Sequence, residues 1–215
     1  DDEWPITRWE ATALSLASAA SIRVPPFRLE MVAKRPVLML ERFDRQGFRR
    51  IPFMSAMTAL SADDGDSRSY LDIVDSIRSS GSQPNADLEE LWRRLVFNVL
   101  ISNTDDHLRN HGFLHDGVGW RLAPAYDLNP TPVDVGPSVH ALALDEGNAS
   151  PSIEDVLEVS ARFGLRLSRA RGVARETASV VGTWRSRAAK VGLTRKDIER
   201  MATAFEHADR ARAAK

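Results

Sequence analysis

The chain has 215 residues, 43% of them hydrophobic and 27% charged, with 29 basic against 30 acidic residues and a net charge of −1. That balance gives no support to nucleic acid as a main ligand, because a phosphate backbone rewards a basic excess. The absence of cysteine excludes disulfides and thiolate metal sites and fits a reducing, cytoplasmic setting, and no apolar run approaches the roughly 20 residues of a membrane span.

Thr7 and Glu10 have capping-box spacing, with Ile6 as the staple residue. Trp9, Ala13, Leu16, Ala17 and Ala20 then recur at helical spacing. The helix should stop before Val24-Pro25-Pro26, since a residue ahead of proline is pushed out of the α region. Residues 27–32 and 36–43 read as strands, the second a mostly apolar run of the kind a buried strand shows. Arg45 to Arg50, around Gly47, reads as a turn. Ser61 to Ser69 is polar and Asp-rich and reads as a loop. Tyr70 to Ile77 reads as a short helix closed by Ser79-Ser80-Gly81-Ser82.

Asp87 begins the strongest helix, with Leu88, Leu91, Trp92, Leu95, Val96, Val99 and Leu100 on one face. Such a stripe is core, and it delivers the polar stretch Asn103-Thr-Asp-Asp-His-Leu-Arg-Asn110 to a fixed place. Gly112–Leu114 and Trp120–Leu122 should form a hairpin turning at Asp116-Gly117. Pro124, Pro130, Pro132 and Pro137 make the stretch after it irregular. From residue 152 the chain reads as all helix. Ser152 caps a segment carrying Ile153, Val156, Leu157 and Phe163 that ends at Gly164. Ser168 caps a second with Val173, Thr177, Val180, Val181, Trp184 and Ala188 on one face. Thr194 and Asp197 open the last, with Ile198, Met201, Ala202 and Phe205. The Ala/Arg-rich tail from Asp209 is expected to fray. The helical end is expected to pack on the region before it, making residues 1–215 one domain of α+β, mainly helical class.

Asp105 and Asn110 are separated by four residues, the spacing of a protein-kinase catalytic loop. There the Asp accepts the hydroxyl proton and the Asn holds a metal. Asp127 falls where such an enzyme keeps its second metal carboxylate, beyond a hairpin. Phosphoryl transfer needs an oxygen acceptor near the attacking hydroxyl and hard oxygen ligands for Mg²⁺. On its own, Asn-Thr-Asp-Asp would be a turn and helix-cap cluster; the added Asp127 favours chemistry. Asp106 stands one residue short of the spacing and takes a supporting or capping role. His107 either positions the loop, contacts phosphate, or is a structural His on a backbone carbonyl. His107, His111 and His115 recur every four residues, but Gly112 and the hairpin pattern argue against a metal-binding helix.

The first residue is Asp, the first glycine is Gly47, and Lys34 is the only lysine before Lys190. A kinase's Gly-rich loop and strand lysine have no candidate upstream of residue 34. The chain is therefore expected to lack an N-terminal portion and to be inactive by itself. Glu10 is either the capping-box residue or sits where a kinase places the ion-pair partner of that lysine.

Glu41-Arg42-Phe43-Asp44-Arg45, Asn103 to Asn110 and Leu122-Ala-Pro-Ala-Tyr-Asp127 together resemble the HipA family. These are serine/threonine kinase toxins of bacterial type II toxin–antitoxin systems, and the resemblance runs over nearly the whole chain. It implies an ATP- and Mg²⁺-dependent protein kinase with a helix-rich, kinase-like C-terminal lobe. Asp105 would be the catalytic base and Asn110 and Asp127 the metal ligands; His107 stays a candidate catalytic residue on its place in the loop. It places adenine against Glu41–Phe43, Asp44 near the ribose and Tyr126 beside the nucleotide. Without the resemblance, Glu41–Arg45 would read as an exposed strand end. Implied partners are a HipB-like helix-turn-helix antitoxin, with DNA reached only through it. The implied substrate is a protein hydroxyl, by family precedent that of glutamyl-tRNA synthetase. A non-catalytic antitoxin-binding co-repressor is the alternative in another class. A small-molecule kinase fits less well, because those usually carry His-Gly-Asp where this chain has Asn-Thr-Asp.

Overall fold

The computed structural model of the protein describes residues 5–132, 134, 141–145 and 147–215; of the stretch expected to be irregular, Pro137 lies outside them. Helix α1 (Ile6–Ala19) starts directly after Pro5, whose carbonyl accepts from Arg8 N and Trp9 N at 3.1 and 3.2 Å. This corrects the expected capping box. Thr7 is already inside the helix, no side chain among the described residues caps the N-terminus, and Ile6 is exposed. A proline at the entrance presets the backbone without a side-chain cap. The core face is as read: Trp9, Ala13, Leu16, Ala17 and Ala20 are all buried.

Strands β1 (Phe27–Val32) and β2 (Arg35–Leu40) form a two-stranded antiparallel ribbon. Ala33 and Lys34 turn it with φ of 48° and 66°, the pair of positive values a tight two-residue hairpin requires. β2 is shorter than expected and is not a buried strand. Its residues are exposed or half-buried, with Val37 exposed, because among the described residues β1 is its one strand partner and α1 covers one side. The turn around Gly47 is a small hairpin of β3 (Arg45–Gln46) and β4 (Arg49–Arg50), with Phe48 fully exposed at its tip.

Strand β5 (Phe53–Ser55) and the single turn α2 (Ala56–Ala59) lack any periodic signal. β5 forms because it pairs with β6 (Gly112–His115), which pairs in turn with β7 (Trp120–Leu122). The β6–β7 turn runs from Asp116 to Gly119, with the Asp116 carboxylate accepting from Val118 N and Gly119 N at 2.9 and 3.0 Å. Helix α3 (Tyr70–Ser80) follows the loop as read; Asp72 accepts from both the amide and the hydroxyl of Ser69 at 2.8 Å.

Helix α4 (Pro84–Leu100) begins three residues before Asp87, at a proline suited to a first helical turn. Asp87 is instead buried inside that turn. It accepts from Arg121 at 2.8 and 3.1 Å, Leu122 N at 3.0 Å and Arg23 at 3.1 Å. Every residue of the predicted α4 face is buried, including Leu95 at 2% exposure. α4 is the central element, touching α3, α5 (Ile153–Glu158), α6 (Leu167–Val181) and β7.

The helical end packs on this centre. Ser152 caps α5, and a 3-10 stretch over Val159–Phe163 closes at Gly164 with φ 74°. Ser168 caps nothing, because α6 already begins at Leu167. The long helix expected through Ala188 breaks at Gly182-Thr183 into α6 and α7 (Trp184–Lys190). Thr194 and Asp197 form a capping box for α8 (Arg195–Arg200), followed by α9 (Ala202–Phe205). The tail does not fray: α10 (Ala208–Ala213) is helical, and Asp209 accepts from Ile153 N at 3.0 Å. Trp184 stacks on Phe205 at 4.6 Å, and Trp9 lies 6.2 Å from both rings, so α1 is clamped to the C-terminal helices.

Candidate active site

After α4, Ser102 takes a left-handed φ of 51° and turns the chain out of the helix. Asn103 N still donates to Asn98 O at 2.9 Å, and Leu108–Asn110 closes as a 3-10 turn with Asn110 N on His107 O at 2.8 Å. Asn110 is buried, and its Nδ2 donates to the Asp105 carbonyl at 3.3 Å. The two ends of the motif are thus bonded, and Oδ1 is the end of the amide left to meet a cation. The neighbouring carboxylates are treated oppositely. Asp105 is exposed, whereas Asp106 is 3% exposed and accepts from Tyr70 Oη and from His111 Nε2, the latter at 3.0 Å. His107 is half-buried, and its Nδ1 has no hydrogen-bond partner among the described residues, so that nitrogen does not make the carbonyl bond of a structural His.

Across from this loop, Glu41, Arg42, Phe43 and Asp44 join Pro25, Leu40 and Phe53 around a cleft of about 270 Å³. They follow β2 and are not part of it, although Glu41 N extends the ladder one step to Pro26 O at 2.9 Å. Glu41 is exposed. Arg42 grips both oxygens of Asp44 at 2.8 and 2.6 Å, and this bond holds the carboxyl below the usual carboxylate range. Phe43 stacks on Tyr126 at 5.7 Å and tilts against Phe53 at 6.0 Å.

Tyr126 joins the two sides. Its hydroxyl donates to Arg109 O at 2.7 Å, one residue from Asn110, and burial pushes the phenol up to about 12. Asp127 is exposed, in the left-handed region at φ 57°, and its Oδ1 accepts from Asn129 Nδ2 at 2.8 Å. An Asp tolerates that conformation better than most residues. Glu10 lies near enough to feel Asp127: its carboxyl is raised above 4.5, first by burial and then by that negative charge. The arrangement therefore gathers residues 41–44, 105–110 and 126–127 around Phe43, Tyr126 and Arg109.

Among the described residues no three His, Cys, Asp or Glu side chains converge as a metal-holding group. Asn110 and Asp127 present the oxygen donors that Mg²⁺ takes when waters and phosphate oxygens complete its shell. Their fit to that ion rests on the chemistry of the donors: an amide whose Nδ2 end is taken by the Asp105 carbonyl, and the exposed carboxylate of Asp127. The roles of several residues of this neighbourhood escape a reading by motif. Tyr70 has only a weak likeness of its segment Ser69-Tyr70-Leu71 to the family, and His111 only its place in the four-residue histidine repeat. Asn98 has one signal, a polar residue inside the apolar run of α4. Gly112 lies so close to Phe53 and Tyr126 that an added Cβ would overlap the Phe53 ring.

A family model described as the HipA-like C-terminal domain matches residues 2–210. The chain is 28% identical over 138 residues to "Putative kinase Y4mE" of Sinorhizobium fredii, covering 58% of this chain and 32% of that protein. It is 33% identical over 98 residues to a "Putative kinase" of Haemophilus influenzae, covering 42% of this chain and 29% of that protein. The matches thus span about a third of the length of these curated relatives. HipA of Shewanella oneidensis, solved with HipB and its operator DNA, superposes with a TM-score of 0.73 at 17% identity over 97% of this chain and 54% of that one. The Helicobacter pylori proinflammatory kinase CtkA gives 0.60 at 14% identity over 95% and 86%. At these identities the two structures establish a shared fold.

Proposed function

The chain belongs to the HipA-like C-terminal domain family, and from that premise we propose that it is the catalytic part of an ATP- and Mg²⁺-dependent serine/threonine protein kinase toxin. The observation that carries the reading is the Tyr126–Arg109 bond. It draws the Asp127 segment and the Asp105–Asn110 loop to one place, with Phe43 stacked on the same tyrosine.

Asp105, the exposed carboxylate, accepts the proton of the attacking hydroxyl. Asn110 and Asp127 would hold Mg²⁺, which when bound would offset the charge of the phosphates. Glu41–Phe43 would lie against the adenine, the Tyr126 ring stacked on Phe43 would stand beside the nucleotide, and Asp44 would face the ribose. His107 shapes the loop beside the base. Glu10, next to Asp127, takes the position of the carboxylate that pairs with a phosphate-binding lysine. The substrate is a protein hydroxyl, with an aminoacyl-tRNA synthetase as the family precedent. A HipB-like antitoxin is the expected partner, in keeping with the Shewanella complex.

The test is a pair of variants in a phosphotransfer-competent protein containing this chain. Asp105→Ala should cut transfer by about 10²–10⁴-fold, the usual contribution of a general base, and leave nucleotide affinity nearly unchanged. Asp127→Ala should weaken Mg²⁺-dependent nucleotide binding as well. Undiminished transfer in Asp105→Ala overturns the reading. Antitoxin binding with neither nucleotide binding nor transfer would make the chain a non-catalytic co-repressor instead.

A further inference from the structure

The loop that carries Asp105 is tied on both sides to a buried chain of polar side chains. Asn103 Nδ2 donates to Asn98 Oδ1 at 3.2 Å, and Asn98 Nδ2 donates to Tyr70 Oη at 3.0 Å. Tyr70 Oη donates to Asp106 Oδ2, and the same oxygen takes His111 Nε2 at 3.0 Å. A carboxylate only accepts, so Nε2 of His111 carries the proton in this pair. The path leaves the loop at Asn103, crosses α4 and α3, and returns at Asp106. Asp105 lies between its two ends.

All five side chains are buried: Asn103 1%, Tyr70 2%, Asn98 2%, His111 2% and Asp106 3% exposed. The Tyr70 ring also meets the His111 ring edge-on at 5.3 Å. The second attachment is through the backbone. Tyr70 N donates to Ala143 O at 3.0 Å, and Ala141 N donates to Thr104 O at 2.8 Å. Tyr70 thus holds residue 106 through its side chain and, through residues 141–143, residue 104. Each of the five side chains has a partner along this path, though Asn103 Oδ1 and His111 Nδ1 have none among the described residues, and losing a link in such a buried path is costly.

We propose that Tyr70 and Asp106 are positioning residues for the phosphotransfer site: together with Asn98, Asn103 and His111 they fix residues 104–106 so that the Asp105 carboxylate faces the cleft. Asp106 points into the protein and touches no substrate. Its task is to hold the turn at which successive carboxylates face opposite ways. This assignment rests on the reading of Asp105 as the base, but its structural half stands apart from it.

Tyr70→Phe is the informative variant, because it removes one hydroxyl and keeps the ring. Hydrogen exchange of the amides of residues 103–110 should accelerate at least tenfold, while amides in the centre of α4 and in β6–β7 stay within twofold. The slowly exchanging His111 Nε2–H should be visible by NMR in the parent chain and lost in Asp106→Ala. Asp106→Asn, which keeps an acceptor for Tyr70, should recover part of the loop protection. In a phosphotransfer-competent protein, Tyr70→Phe should lower kcat at least tenfold and leave KM for ATP within twofold. Unchanged exchange at 103–110, or acceleration spread evenly over the molecule, overturns the proposal. So does a change confined to KM. If the loop loosens as stated but the parent protein binds no nucleotide, the kinase reading fails and the pinning of the loop stands.

Discussion

Gly112 is the residue whose replacement tests the nucleotide side of the site most directly. It sits in β6, opposite Ser55 of β5 and two residues after Asn110. An added Cβ would overlap the Phe53 ring and press within 3.4 Å of the Tyr126 hydroxyl. Both rings contact Phe43, so the displacement passes to the cleft. Gly112→Ala should cost about 1–3 kcal/mol, the usual range for overpacking. It should also weaken nucleotide binding more than an equally destabilising change in α6. Denaturant titration together with nucleotide titration checks both; normal stability with normal affinity would mean Phe53 can swing aside freely. The same scale explains what spacing can and cannot say about Asp105 and Asp106. Spacing to Asn110 separates them on paper, but the physical difference is that one carboxylate is exposed and the other buried against Tyr70 and His111.

Among the elements, α10 departs most from its sequence. An Ala/Arg-rich tail has little intrinsic reason to be ordered, yet it packs against α4, and the residues just ahead of it bond the end of that helix. His207 Nε2 donates to Leu100 O at 3.2 Å, and Ser102 Oγ donates to Ala204 O at 3.1 Å. Burial lowers the His207 imidazole below its ordinary value of 6.5, outweighing the Leu100 carbonyl and Asp209, which favour the charged form. A depressed folded-state value means that this group's stabilisation is present above pH 6.5 and is lost as pH falls through the lower folded-state value. Acidification from pH 7.5 to about 5 should therefore destabilise the parent chain more than His207→Gln, whose amide can still donate to Leu100 O. Thermal melts of both proteins across that range are the measurement; identical pH dependences would remove His207 from the account.

At the scale of the whole molecule, catalysis of phosphoryl transfer is mostly positioning and charge stabilisation, and the phosphates must be held from two sides. Residues 1–215 hold candidates for the base and the metal ligands. Glycines upstream of Gly47 and lysines upstream of Lys34 are absent, so these residues offer no Gly-rich loop with its lysine ahead of the cleft. Residues 1–215 alone should show no phosphotransfer with labelled ATP and Mg²⁺, and transfer should appear when a phosphate-binding loop and lysine precede them. Robust transfer by residues 1–215 that disappears in Asp105→Ala would place the phosphate-binding side within these residues.

Family and general architecture were legible in the sequence because they rest on local, strongly periodic or closely spaced signals. The apolar face of α4 needs only the 3.6-residue repeat, and the caps at Ser152 and Thr194 need only neighbouring residues. The three ordered motifs lie in short segments, so the HipA-like assignment follows without knowing how they meet. Tertiary structure decided the rest. β5 exists because β6 offers it a partner, and α10 is ordered because α4 and α5 give its residues something to bond. β2 looks buried by composition but is half-exposed, because burial depends on what covers a strand and not on its residues alone. In the chain from Asn103 through Tyr70 to His111, one hydrogen-bonded pair lies 36 positions apart in sequence. No local pattern encodes such a set; only the packing of α3 against α4 brings its members within hydrogen-bond reach.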